Sequence, residues 1–168
     1  MLFRTLTGSW QPHVGVNYTV TVTLVDLYQN VSSLSATHSM TFNGTLTAGA
    51  DGSVATINGQ PQGTAANVTL SSGVGSVTLV AHHTDSSKVI SVTDNTSSLT
   101  SGGTGGTTLT VSPTAGADSA YRLTGTGQPQ VGVNYTVTVT LVDLYQNVSS
   151  LSATHSMTRS EERRVGKE

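Results

Sequence analysis

The sequence predicts an all-β protein made of short strands joined by polar, glycine-rich turns. Three observations carry that expectation. Thr and Val dominate the chain, and β-branched side chains, stiff about χ1, suit a pleated strand better than a helix. Long charged side chains are scarce: no Glu occurs before Glu161, and Lys88 is the only Lys before Lys167. Ser and Thr supply 51 of the 168 residues, and they alternate with apolar residues in short runs.

The first strand is expected over residues 2–7 and the second over 17–26. In the second, Tyr18, Val20, Val22 and Leu24 alternate with Thr19, Thr21 and Thr23. A period of two puts one face in a core and the other in water. Strands follow near 37–43 and 66–71. Between them Asn43-Gly44, Asp51-Gly52 and Asn58-Gly59 are turn signals that leave room for one or two extra short strands. Residues 75–83 set Val77, Leu79 and Ala81 on one face and Val80 on the other. The stretch 88–94 offers Ile90 and Val92, and 106–112 offers Leu109 and Val111. Seven or more short strands separated by turns point to a sandwich.

The chain also repeats itself. Gln11–Thr41 recurs as Gln128–Thr158 at an offset of 117 residues, and His13 against Gln130 is the one difference. Weaker similarity extends upstream, "FRTLTGSW" against "YRLTGTG". Solenoid repeats have periods of roughly 20–50 residues, so this spacing implies whole domains in tandem. It is close to the ~100 residues of an immunoglobulin-like sandwich with a linker. After Thr158 the second copy breaks off into "RSEERRVGKE", where charged residues replace Thr, Ser and Val. That stretch resembles the conceptual translation of a sequencing adapter, and the reading frame is expected to be cut at both ends.

Three segments carry a resemblance: "VTVTLVDLYQNVSS", "VISVTDNTSSLTSG" and "TTLTVSPTAGADSAYRLTG". Together they resemble the tandem Ig-like repeats of large bacterial surface proteins, in the style of invasin and filamin modules. The resemblance implies an immunoglobulin-like β-sandwich. One near-complete, N-terminally clipped domain is expected over residues 1–113. The opening strands of a truncated second copy are expected over 114–158, and a non-native charged tail over 159–168. Trp10 does not match the core tryptophan of antibody domains, because it precedes the second strand and the other copy has Gly127 there.

Several function classes find no support in the residues. A formal charge of −2 without a basic stripe argues against nucleic acid, whose binding rests on clustered Lys and Arg. No run approaches eighteen apolar residues, so no membrane span is expected in this fragment. Without cysteine there is neither a disulfide framework nor a cysteine-ligated zinc site. The N-terminal residues lack the basic and apolar regions of a signal peptide. Low charge with abundant Thr, Ser, Asn and Gly points to an extracellular or cell-surface setting.

No nucleophile or phosphate-binding motif is present, so no catalytic residue and no cofactor are expected. The glycine-rich Ser101–Thr107 precedes a strand, which makes it a loop rather than a phosphate cradle. His82 and His83 are adjacent in or after a strand and point to opposite faces, so they cannot share a metal ion. His13, expected at the same pole, is replaced by Gln130 in the second copy. The one metal candidate is calcium, held by Asp26 with Asn30 in one loop and Asp94 with Asn95 in another. Calcium takes six to eight oxygens, and the oxygens these four residues supply fall short. The competing reading has Asp26 and Asp94 accepting hydrogen bonds from their own loop amides. Seven of the eight Asn residues begin an Asn-x-Ser/Thr sequon, which composition explains in a chain this rich in Ser and Thr.

The expected function is that of a non-catalytic spacer repeat in a large surface protein, an adhesin among the candidates. Its partners would be neighbouring Ig-like repeats in the same chain and an unidentified host or surface ligand. The alternatives are a carbohydrate- or protein-binding module, for which Tyr28 and Tyr145 are the available loop aromatics, and an accessory domain of a secreted hydrolase.

Overall fold

The computed structural model describes residues 2–8, 10–102, 105–151 and 154–156. Residues 159–168, expected to be a foreign tail, lie outside the described residues. Twelve strands and no helix occur among the described residues. The first five are β1 (Leu2–Gly8), β2 (Tyr18–Asp26), β3 (Ala36–Gly44), β4 (Thr56–Ile57) and β5 (Gln60–Pro61). Next come β6 (Ala65–Leu70), β7 (Val74–Val80), β8 (Lys88–Asp94), β9 (Leu99–Thr100) and β10 (Leu109–Val111). β11 (Asp118–Gly125) and β12 (Val137–Asp143) end the series.

The strands form antiparallel sheets. One runs β1-β2-β7-β4-β5, a second runs β10-β8-β3-β6 with β9 beside β8, and β11 pairs with β12 alone. The inner faces of the first two sheets share one core, as in a β-sandwich. Val20, Val22 and Leu79 face Met40, Phe42 and Val92 across it, all nearly or fully buried. Burying a side chain of this size contributes roughly 1.5–3 kcal/mol relative to leaving it in water. The alternation read from the sequence of β2 is the alternation observed: Tyr18, Val20, Val22 and Leu24 point inward, with Thr19, Thr21 and Thr23 outward.

All seven expected strands form; the second starts one residue late, at Tyr18, and two others are clearly shorter than expected. The strand expected over 75–83 stops at Val80, because the chain turns outward there. The Ala81 carbonyl accepts from the Gly15 N–H at 2.8 Å, and His82 Nδ1 donates to the Val54 carbonyl at 2.8 Å. The strand expected over 106–112 narrows to Leu109–Val111, since Thr107 bonds to β1 instead. The ambiguous stretch before Gly63 holds the two-residue strands β4 and β5. Asn58 and Gly59 connect them with φ of 52° and 76°, the left-handed pair of a type I′ hairpin turn.

That segment also sets the topology. After β3 the chain crosses to the other sheet, where Ile57 pairs with Leu79. It then returns so that β6 runs beside β3, Met40 opposite Ala66, and crosses again into β7. At the opposite edge the sandwich is closed by parallel bridges, Thr5 to Thr107 and His13 to Thr114.

The second copy reproduces the first hairpin without the rest of the core. Leu123 pairs with Val139 as Leu6 pairs with Val22. Leu6 and Val22 are 3% and 0% exposed, whereas Leu123 and Val139 are 66% and 40% exposed. The register also corrects the upstream alignment of the repeats. Arg4 pairs with Leu24, but Arg122 pairs with Thr140, the counterpart of Thr23. Tyr121, not Arg122, therefore takes the place of Arg4, and the two arginines lie on opposite faces.

Candidate functional site: a buried carboxylate and the junction between copies

Two polar constellations stand out. The first is inside the sandwich. Asp94 ends β8 with no exposed surface, and Arg4 of β1, also fully buried, donates through Nη2 to its Oδ2. His38 Nδ1 of β3 lies 2.7 Å from the same oxygen. The Ser97 hydroxyl donates to Oδ2 at 2.6 Å, and the amides of Thr96 and Ser97 donate to Oδ1 at 2.9 and 3.3 Å. Burial alone would raise the Asp94 pKa. The Ser97 hydroxyl and the Arg4 guanidinium outweigh it and hold the carboxyl at about 2. Arg4 Nε and Nη1 are buried without a partner among the described residues. The cluster ties three strands together across the two sheets. It is closed to a substrate, so its chemistry is structural.

The second constellation lies where the second copy meets the first. In "VDLYQN" the Asp folds the loop around itself. Asp143 Oδ1 accepts from the amides of Tyr145 and Asn147, each at 2.9 Å, and Asn147 Nδ2 donates to Oδ2 at 3.0 Å. This local arrangement needs no neighbour, and residues 26–30 repeat it: Asp26 Oδ1 accepts from Tyr28 at 2.8 Å and Asn30 at 2.9 Å, with Asn30 Nδ2 on Oδ2 at 3.0 Å. The Asn30 side chain and amide hold the Asp26 carboxyl below the usual range.

Among the described residues, the second loop is the one docked through its Tyr and Asn side chains. Asn147 Nδ2 donates to the His82 carbonyl at 3.2 Å, and the Thr84 amide donates to Asn147 Oδ1 at 2.9 Å. The Gly116 amide donates to Asp143 Oδ2 at 3.0 Å. The His82 and Tyr145 rings stack with centroids 4.5 Å apart. Asp143 and Asn147 are thereby 1% and 5% exposed. Glycines make the approach possible: a Cβ on Gly15 would lie 2.8 Å from Tyr145 Cε2, and one on Gly116 would lie 2.5 Å from the Val14 carbonyl oxygen. Beside the contact is an open depression of about 190 Å³ lined by Val14, Val16, Ala117 and Leu144.

The four calcium candidates are not brought together as one ligand set. Asp26 and Asn30 bond to each other, Asp94 lies with Arg4 and His38, and the Asn95 side chain donates to Thr41 Oγ1 at 3.0 Å. Among the described residues no group of three His, Cys, Asp or Glu side chains could hold a metal ion. His82 and His83 do diverge: His82 faces Val54 and Tyr145, and His83 faces Asp85 at 3.6 Å. His13 bonds to Thr114 at 2.9 Å, and Trp10, 48% exposed, packs on His13 and Tyr18.

Asp26 and Asp94 do accept from their own loop amides, the reading that competed with calcium, whereas the burial of Arg4 and the docking of the second loop were missed. A lone Arg among threonines carries no sign of burial, and nothing local links Asn147 to His82. The offset of 117 was the usable signal, since it marks Asp143 and Asn147 as counterparts of Asp26 and Asn30. Comparison with protein-family models, with curated proteins and with solved structures finds no match for this chain.

Proposed function

We propose that the chain is a non-catalytic spacer, one immunoglobulin-like repeat followed by the start of the next, from a large extracellular or cell-surface protein. One observation carries this reading: the start of the second copy is held against the first by side-chain hydrogen bonds and a ring stack, rather than trailing from a free linker. A module that sets distance and direction needs such a contact, because a flexible linker would let neighbouring domains reorient. The parallel bridges from Thr5 of β1 to Thr107 and from His13 to Thr114, together with the sheet orders, support the immunoglobulin-like assignment. The surface setting is supported by low charge and abundant Thr and Ser.

Residual dipolar couplings on the full chain test the proposal. A single alignment tensor fitting both β1–β10 and β11–β12 is the expected result. Independent tensors, or couplings averaged towards zero in β11–β12 alone, would show a floppy connection and sink the spacer reading.

A further inference from the structure

We infer that the Asp26–Asn30 loop of the first copy is itself a docking surface, whose occupant is the His82–Thr84 face of another copy of this repeat. The inference rests on the spacer reading and extends it to a head-to-tail contact on the other end of the domain.

The loop is a duplicate of one whose partner is visible. Residues 11–41 match 128–158 at every position but His13, so the two loops carry the same side chains. Their internal hydrogen bonds agree to within 0.1 Å, so the free loop already holds the docked shape. A surface organised before its partner arrives loses little conformational entropy on binding. What differs is the cover. Tyr28 is 82% exposed and Asn30 is exposed, whereas Asn147 is buried and Tyr145 is stacked on His82. Three groups fill the second loop: a backbone carbonyl for Asn147 Nδ2, a backbone amide for Asn147 Oδ1, and an imidazole for the tyrosine ring. The partner of the first loop is therefore specified in the same terms. Gln29 does reach the Gly105 carbonyl at 2.7 Å, which braces the loop from the side without covering Tyr28.

The acceptor face of each chain is occupied by its own Tyr145 and Asn147, so the test must vacate it. An unlabelled full chain carrying Tyr145→Ala and Asn147→Ala would be titrated into ¹⁵N-labelled wild-type chain. The expected result is saturable shifts at the Tyr28, Gln29 and Asn30 amides, with half-saturation on the order of millimolar. That range is set by the local concentration a short linker provides in the joined repeats. The same titration into labelled Asn30→Ala chain should weaken at least tenfold. No shift at these amides, or an unchanged titration with Asn30→Ala, overturns the inference. Hydrogen exchange in the unmixed wild-type chain separates the two readings. If the Asn147 amide is protected but the titration fails, the inference falls and the spacer reading stands. Should Asn147 exchange as freely as Asn30, both fall.

Discussion

The His82 imidazole stacks on the Tyr145 ring at 4.5 Å, with planes 25° from parallel, and this contact joins two copies of one sequence. An aromatic pair of this kind contributes roughly 0.5–1.5 kcal/mol beyond the area it buries. Neither ring belongs to the shared core of the two large sheets. Tyr145→Ala should therefore free the second copy without melting the first. Hydrogen exchange at the Thr84 amide, which donates to Asn147, is expected to quicken about 2- to 12-fold. The urea midpoint followed through the main core should stay put.

Arg4 is expected to be the costliest polar residue to truncate. Removing it leaves the buried Asp94 carboxylate without its guanidinium partner, and breaking such a pair costs about 3–5 kcal/mol. Arg4→Ala should lower stability by that amount in urea denaturation. Arg4→Met combined with Asp94→Asn removes both charges and should recover most of the loss. Equal losses in the single and double variants would show that packing, not charge, is what Arg4 supplies.

Stability should fall in acid through the same carboxylate. Asp94 is held at about 2 in the folded chain against an ordinary value of 3.8. A depressed carboxylate stabilises the fold above its unfolded pKa, and the contribution is lost as pH falls through the folded value. The window is thus about pH 4 down to about 2, and the loss is roughly 2 kcal/mol. Asp51 and Asp85 are also lowered, with the same sign. Thermal unfolding across this range should show the drop, and Asp94→Asn should flatten it while lowering stability near neutral pH.

Calcium should leave the chain indifferent. The Asp26 carboxylate is taken up by Asn30 and the Tyr28 amide, and Asp94 by Arg4 and Ser97. Melting temperatures with added calcium and with chelator are expected to coincide. A calorimetric titration giving micromolar affinity, lost on Asp26→Ala, would reverse this.

What the sequence determined by itself was local. Alternation in β2 placed its inward face, because side chains in a strand change sides at every residue. Asn58-Gly59 placed a hairpin turn, because both positions need left-handed backbone. The Asp-x-x-x-Asn loop took one shape twice, since all its partners lie within four residues. Tertiary structure decided everything that depends on the opposite face. It sent the segment after β3 across to β7 and back, and it buried Arg4 against a carboxylate ninety positions away. The repeat separates the two contributions within one molecule. Val22 and Val139 have the same neighbours in sequence and the same partner across the strand pair, yet only Val22 is buried. Asn30 and Asn147 differ in the opposite sense, the second copy being the covered one. Backbone geometry follows from adjacent residues, but burial requires a second surface, and which surface arrives is not written in the segment it covers.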